Sequence, residues 1–154
     1  MKEEEMRLTE RTDTAFRILM YLGLHRGTRC AIDDVVERCK AHRSQVVAAV
    51  QVLRKAGYIE SSAGRSGGIW LAREPEEIDL GSVVTLMETD LCLAQCFQAS
   101  RSGQCSLYAE CLLRPALKKA LDAFFEELRN ISLRDILHNG DRLRALLGSP
   151  RGAV

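Results

Sequence analysis

The stretch AHRSQVVAAVQVLRKAGYI, residues 41–59, carries the main fold signal of this chain. Its apolar residues recur at helical spacing and predict one apolar face on a helix of about four turns: Val46, Val47, Val50, Leu53 and Ala56. Gly57 follows directly, and glycine at this position is typical of a helix end. The polar residues at the start of the stretch lie off that face and remain available for contacts.

The segments on either side of this helix complete a recognisable order. Downstream, 58–62 and 68–73 predict two short strands joined by the turn AGRSG, with Arg65 at its tip. Upstream, 8–24 and 31–39 predict two helices, the first capped by Thr9 or Thr12. Three helices followed by a β-hairpin are the order of a winged helix-turn-helix. We therefore expect residues 1–75 to form a DNA-binding domain.

The second half of the chain predicts further helices. Residues 80–87 predict a short helix, 76–111 include a cysteine-rich segment, and 112–138 a long helix followed by a short one. Apolar residues of the long helix recur at spacings close to a heptad: Leu113, Leu117, Leu121, Phe124, Leu128 and Ile131. An internal core helix has the same pattern, but beside a DNA-binding module it favours dimerisation. Residues 139–154 are weakly patterned and predict a flexible tail. The expected fold class is mainly α with a small β-wing and a long C-terminal dimerisation helix.

Charge is unevenly distributed along the chain. The 154 residues carry a net charge of only +1, which excludes a histone-like arm or an acidic tail. From Arg38 to Arg73, however, seven basic residues face one acidic residue, giving +6, and Glu74 to Asp90 carries six acidic residues and no basic one. The sequence has no apolar run long enough for a membrane span and no signal-like N-terminus, so we expect a cytoplasmic protein that does not contact membranes.

The basic segment supplies the candidate DNA contacts. Side chains at the start of a recognition helix contact base edges; here these are His42, Arg43, Ser44 and Gln45. Arg65 is placed to enter a narrow minor groove, whose potential is strongly negative. Arg54, Lys55 and Arg73 are candidates for phosphate contacts. The alternative is a solvated basic face without a DNA partner, and the order of elements favours DNA binding.

Six cysteines in a chain of ordinary core size indicate metal, cluster or redox chemistry. Cys30 and Cys39 stand apart and predict buried packing residues. The other four follow the pattern Cys92-x3-Cys96-x8-Cys105-x5-Cys111. Only the first pair fits a zinc knuckle, and disulfides are disfavoured in a reducing compartment. Iron–sulfur clusters accept less regular spacings, so a cluster, zinc and a reactive thiol remain open at this point.

Several segments together resemble the winged-helix family of iron–sulfur transcriptional repressors, which includes nitric-oxide-sensing, iron-responsive and cluster-assembly regulators. The resemblance runs from about Met6 to Leu137. It rests on MRLTERTDTAFR (6–17), LRKAGYI (53–59), GRSGGIWLAR (64–73) and Cys96-Phe with Cys105-x5-Cys111 before LLRPAL. It implies a homodimer on a roughly palindromic DNA operator.

The resemblance also implies a ligand set. Cys96, Cys105 and Cys111 would hold an iron–sulfur cluster, [4Fe-4S] in preference to [2Fe-2S], with Cys92 as a possible extra ligand. In the nitric-oxide-sensing members an aspartate at the position of Asp13 is the fourth ligand, supplied by the partner subunit, and Arg17 is placed to support that carboxylate. Nitric oxide is therefore the expected effector. The alternatives are the same fold sensing iron or cluster supply, and a zinc- or thiol-based interaction module. No nucleophile–base pair, paired carboxylates or phosphate loop indicates an enzyme.

Overall fold

The computed structural model describes residues 7–89 and 91–151. Its seven helices in that part of the chain are α1 (Glu10–Leu24), α2 (Ile32–Cys39), α3 (Arg43–Lys55), α4 (Leu80–Met87), α5 (Leu113–Arg129), α6 (Leu133–Ile136) and α7 (Gly140–Leu147). Two strands, β1 (Ile59–Ser62) and β2 (Gly68–Leu71), pair antiparallel. This order confirms the predicted fold class, a mainly helical protein with a small β-wing.

Helix α1 is the central element of the core. Thr9 is its N-cap, and the Thr9 hydroxyl accepts a hydrogen bond from the Thr12 backbone N–H. Ala15, Ile18 and Leu19 are fully buried, because residues three and four apart share one face of a helix. The helix packs against α2, α3, α4, α6, α7 and β2. A change in the position of α1 would therefore alter its packing against α2 and α3.

Helices α2 and α3 form the helix-turn-helix. Lys40 ends α2 in the left-handed conformation, with φ of 49°, and its N–H and that of Ala41 bond to carbonyls of the last turn of α2. His42 is the N-cap of α3 and contributes no side-chain cap. At the other end Gly57 has φ of 76°, a conformation that costs glycine little. The predicted helix stop at Gly57 is confirmed.

The wing is a short hairpin fixed to the core by one of its strands. Glu60 pairs with Trp70 across the strands, and the Trp70 indole N–H donates to the Glu60 carboxylate at 3.2 Å. Cys30 forms an isolated bridge with Ile69 through two backbone hydrogen bonds of 2.9 and 3.0 Å. A Cβ on Gly68 would lie 2.8 Å from the Cys30 carbonyl oxygen. Glycine at 68 therefore lets β2 approach the α1–α2 connection.

One hydrophobic core crosses the predicted domain boundary at residue 75. Ile78, Val83, Met87 and Leu133 are fully or almost fully buried and belong to the same cluster as the buried side chains of α1 and α3. The predicted helix over 80–87 is confirmed, with Asp79 as its N-cap. The segment that leads to the cysteines is thus built on the core of the DNA-binding domain.

Helices α5 and α7 each pack against another helix without a buried residue of their own. Helix α5 has no buried residue, although it packs against α4. Residues 139–154 were expected to form a flexible tail, but 140–147 form α7, which packs on α1. The weak apolar pattern of this segment concealed its attachment, because polar contacts supply much of it: the Arg144 guanidinium donates to the Leu24 carbonyl at 3.0 Å.

Among the residues that the structure describes, no helix combines the length and the apolar character needed to cross a membrane.

Candidate DNA-binding surface and metal centre

The start of α3 presents the side chains expected to contact bases. His42, Arg43 and Ser44 are exposed and Gln45 is half-buried. Two of them have acidic partners within the chain: Arg43 forms an ion pair with Asp33 of α2, and the Gln45 amide donates to the Glu10 carboxylate of α1 at 2.8 Å. Sequence reasoning did not find Glu10 and Asp33, because these partners lie on other helices. If Arg43 and Gln45 bind DNA, their side chains would leave the carboxylates of Asp33 and Glu10 and contact bases or phosphates instead.

A groove of about 340 Å³ separates α3 from the wing. Gln51 and Arg54 line it from α3, Ser61 and Ser62 from β1, and the start of α2 closes it. Arg65 is exposed at the tip of the wing, in a turn closed by a hydrogen bond from the Gly67 N–H to the Gly64 carbonyl at 3.0 Å. Lys55 is exposed at the end of α3. Arg54 thus lines the groove from α3, and Arg65 lies in the turn between Ser62 and Gly67, two residues that line it from the wing.

Arg73 has a structural role that its predicted contact with phosphate did not include. Its Nε and Nη2 groups donate to the carbonyls of Gly57 and Ala56 at 3.0 and 2.9 Å. Its guanidinium also lies 4.3 Å from the centroid of the Tyr58 ring. A cation at the end of a helix satisfies terminal carbonyls and the helix dipole. The geometry gives Arg73 the role of a C-terminal cap of α3.

Arg73→Ala should therefore lower stability rather than weaken phosphate contacts. Loss of two hydrogen bonds and one ring contact should cost about 1–2 kcal/mol, and lower the melting temperature by about 3–6 °C. Thermal unfolding followed by circular dichroism measures this loss. Arg54→Ala is the matched control, since Arg54 is an exposed arginine on α3, the helix that Arg73 caps. A stable Arg73→Ala protein whose DNA affinity shows a shallower salt dependence would restore the phosphate role.

The cysteine-rich segment has no buried residue among 91–112. It consists of short helical turns at 95–97, 99–101 and 108–110. Cys92 and Cys105 are exposed, and Cys96 and Cys111 are half-buried. Within 7–89 and 91–151, no three His, Cys, Asp or Glu side chains are grouped closely enough to hold a metal ion. The single chain thus offers accessible thiols without a closed site.

Arg114, at the start of α5, contacts aromatic rings in both halves of this segment. Its guanidinium lies 5.5 Å from the Phe97 ring, next to Cys96, and 5.2 Å from the Tyr108 ring, between Cys105 and Cys111. The Arg114 Nε is buried and has no hydrogen-bond partner. Thiolates and sulfides accept such hydrogen bonds, and these tune iron–sulfur clusters. The soft donors and this unused N–H group together fit a cluster.

Asp13 and Arg17 form the predicted contact on α1. The Arg17 Nη2 lies 2.7 Å from the Asp13 carboxylate, and the pair is about half exposed. Arg17 Nη1 also donates to the Cys39 carbonyl at 3.2 Å, which is the last residue of α2. Arg17 therefore connects the Asp13 carboxylate with the turn of the helix-turn-helix.

Glu88 is a functional candidate that the sequence did not indicate. It follows α4, just before the cysteine segment, and its carboxylate accepts three hydrogen bonds from the start of α1: from Thr9 N–H at 2.8 Å, Thr9 hydroxyl at 3.1 Å and Thr12 hydroxyl at 2.5 Å. A carboxylate at a helix N-terminus is stabilised by the dipole. Since the contact joins residues 76 and 79 positions apart, no local pattern could have shown it.

Cys30 and Cys39 are buried, which confirms the prediction that they are packing residues. Burial raises the pKa of both thiols to about 11. A thiol with such a pKa stays protonated and is a poor ligand or nucleophile. This separates them from the accessible cysteines at 92–111.

The three-helix core, the helix-turn-helix and the wing with Arg65 at its tip define a winged-helix DNA-binding protein. Its relatives are named transcriptional regulators, not enzymes. The model of the Rrf2 family, described as an iron-dependent transcriptional regulator, matches residues 8–139. The chain belongs to the Rrf2 family of transcriptional regulators.

Individual relatives cover nearly the whole chain. The chain is 40% identical over 148 residues to the HTH-type transcriptional regulator NsrR of Geobacillus kaustophilus (strain HTA426), covering 96% of this chain and 100% of that protein. It is 33% identical over 143 residues to NsrR of Bacillus subtilis (strain 168), covering 92% and 97%. The solved structure of T. potens IscR superposes with a TM-score of 0.70 at 22% identity, covering 89% of this chain and 90% of that one, and shows the fold.

Proposed function

We propose that this regulator is a homodimeric repressor whose affinity for operator DNA is controlled by an iron–sulfur cluster that nitric oxide attacks. The observation that carries the proposal is that the first turn of α1 contacts both the segment leading to the cysteines and the recognition helix. Glu88, just before the cysteine segment, bonds to Thr9 and Thr12 there. Glu10 in the same turn bonds to Gln45 of the recognition helix. A change at the cysteines then reaches the DNA-binding surface over a short distance.

The cluster would be held by Cys96, Cys105 and Cys111, with Asp13 of the partner subunit as a fourth ligand. When bound, a cluster of this kind supplies an iron with an exchangeable ligand, at which a small molecule such as nitric oxide can react. A hard carboxylate beside soft thiolates suits such a position. Arg114 would close the segment through Phe97 and Tyr108, and Arg17 would orient the carboxylate. Cys92 remains a possible extra ligand.

The dimer would form through α5. Its predicted apolar seam is only partly covered: Leu113 is 64% exposed and Phe124 is 40% exposed, and Leu112 just before the helix is 85% exposed. Helix α5 also lies close to α4, since a Cβ on Gly81 would be 2.9 Å from the Phe125 carbonyl oxygen. The seam residues Leu117, Leu121 and Leu128 are half-buried within the chain. The exposed seam residues, Leu113 and Phe124, would contact a second copy. Two copies would place two recognition helices on a pseudo-palindromic operator in the cytoplasm.

In this account, α1 transmits the signal. Asp13 released from iron would change its contact with Arg17, which also holds the Cys39 carbonyl at the end of α2. Glu88 would move together with the cysteine segment and so displace the start of α1. Because α1 packs on both α2 and α3, the spacing of the two recognition helices changes, and the dimer leaves DNA.

Arg65→Ala tests the wing. Loss of a cation from a narrow minor groove should weaken operator binding roughly tenfold, about 1.4 kcal/mol, and reduce the salt slope by about one. Fluorescence anisotropy on a duplex selected by the wild-type protein from a random library measures both. Ser66→Ala, the neighbouring exposed position, is the control. An unchanged affinity and salt slope would mean that the wing does not contact DNA.

Asp13→Asn tests the fourth ligand. The amide keeps the shape of the side chain but is a weaker ligand, so DNA binding by the loaded protein should persist while the rate of reaction with nitric oxide changes several-fold. Stopped-flow absorbance measures the rate. Asp122→Asn is the control for a changed charge, because Asp122 is an exposed aspartate that also pairs with a basic side chain one turn away, Lys118 at 2.6 Å. Identical nitrosylation kinetics in Asp13→Asn and the wild type would remove Asp13 from the ligand set.

Anaerobic purification tests the proposed cofactor. A brown protein with visible absorbance and matching iron and sulfide contents is expected. Bleaching by stoichiometric nitric oxide supports the proposed effector, whereas bleaching only by iron chelation would indicate a sensor of iron supply. A colourless protein that retains zinc tightly would contradict both iron-based functions.

A further inference from the structure

Residues 148–151 lie along α2, the first helix of the helix-turn-helix. Pro150 is buried, and the Arg151 backbone N–H donates to the Asp34 carboxylate at 3.0 Å. The Arg151 guanidinium lies 2.7 Å from Glu37, one turn further along α2. We propose that these four residues, the C-terminal clamp, position α2 for DNA binding.

The Asp34 contact is the strongest part of this argument. Asp34 is only 4% exposed, and a buried carboxylate is costly unless hydrogen bonds satisfy it. The N-terminal dipole of α2 favours a negative charge there, and the Arg151 N–H supplies a donor from outside the helix. Loss of the Arg151 N–H would leave the buried Asp34 carboxylate with fewer hydrogen bonds, and this carboxylate lies on α2, which the clamp covers.

The backbone at Gly148 shows that the clamp has a defined path. Gly148 has φ of 71°, which side chains other than glycine rarely adopt. A Cβ at this position would also lie 2.7 Å from the Arg38 guanidinium on α2. The backbone conformation therefore favours glycine in the turn after α7, and the Arg38 guanidinium shows how closely this turn approaches α2.

The clamp is connected to the recognition helix through α2 itself. Asp34 contacts the clamp, while its neighbour Asp33 pairs with Arg43, the first residue of α3. On the other side, α7 is fixed to the end of α1 through Arg144 and Leu24. The clamp therefore joins the end of α1 to the helix that carries the partner of a candidate base-contacting arginine.

Two substitutions at one position separate the backbone contact from the side chain. Arg151→Pro removes both the N–H donor and the guanidinium, whereas Arg151→Ala removes the guanidinium alone and is the matched control. The readout is hydrogen exchange of backbone amides in α2, compared with those in α4, which the clamp does not touch. We expect about tenfold faster exchange in α2 for Arg151→Pro, and less than about twofold for Arg151→Ala, because an exposed ion pair contributes little.

A chain ending at Leu147 provides a second test that does not depend on proline. It should show the same faster exchange in α2 and a roughly tenfold lower affinity for the library-selected duplex, about 1.4 kcal/mol. Equal α2 exchange in the wild type, Arg151→Pro and the shortened chain would overturn the clamp, as would faster exchange spread equally over α2 and α4. The exchange measurement needs neither cluster nor DNA, so its failure is distinct from a failure of the proposed function on which the affinity change rests.

Discussion

Cys96→Ser, Cys105→Ser and Cys111→Ser, each made alone, should abolish the visible absorbance of the anaerobically purified protein. Serine preserves the size of the side chain but replaces the soft thiolate that iron–sulfur clusters use. Iron content should fall by at least about tenfold, because a cluster held by only three thiolates of the chain would be released when one of them is lost. The measurements are the visible spectrum and the iron and sulfide contents per chain.

Cys92→Ser is the matched control for this series, because Cys92 lies in the same exposed segment. We expect it to retain the cluster, in agreement with the three-cysteine set that the family resemblance implies. If Cys92→Ser lost the cluster and one of the other three variants retained it, Cys92 would be a ligand and the cysteine of the retaining variant would not. Retention in all four variants would contradict a cysteine-held cluster.

Leu121→Glu should convert the protein to a monomer. Leu121 lies at the centre of the apolar seam of α5 and is half-buried in the single chain. In the proposed dimer, the second copy would cover the part of its side chain that remains exposed. An unpaired charge in such an interface should raise the dimer dissociation constant by about 100-fold or more. Analytical ultracentrifugation measures the change, and operator affinity should fall by a similar factor because two half-sites are no longer bound together.

Lys119→Glu is the control for Leu121→Glu, since Lys119 is exposed and points away from the seam on the same helix. It should leave both the dimer and the DNA affinity unchanged. A dimeric Leu121→Glu protein, or one whose monomer is as stable and binds DNA as tightly as the wild type, would move the dimer interface away from α5.

Local patterns were sufficient to predict the DNA-binding half of the fold. The apolar spacing of 46–56, the stop at Gly57 and the glycine-rich turn around Arg65 each act within a few residues, and the structure confirms the elements that they define. The helix over 80–87 was predictable for the same reason. Its N-cap Asp79 and its apolar residues lie within one short stretch.

Contacts between distant residues were not predictable in the same way. Glu88 caps α1 across 76–79 residues, and Arg151 reaches Asp34 across 117. Arg73 was assigned to phosphate from its charge alone, although the carbonyls at the end of α3 engage it. Charged side chains have many possible partners, and only the fold decides which of them comes within reach.

The most direct test of the proposed function is a titration of the anaerobically purified protein with nitric oxide in the presence of its selected duplex. Cluster absorbance and duplex anisotropy are followed in the same sample. We predict that both signals fall together, and that operator affinity is at least about 100-fold weaker once the cluster is fully nitrosylated, a coupling of about 2.7 kcal/mol. Full loss of the cluster absorbance with unchanged duplex binding would contradict control of DNA binding by the cluster.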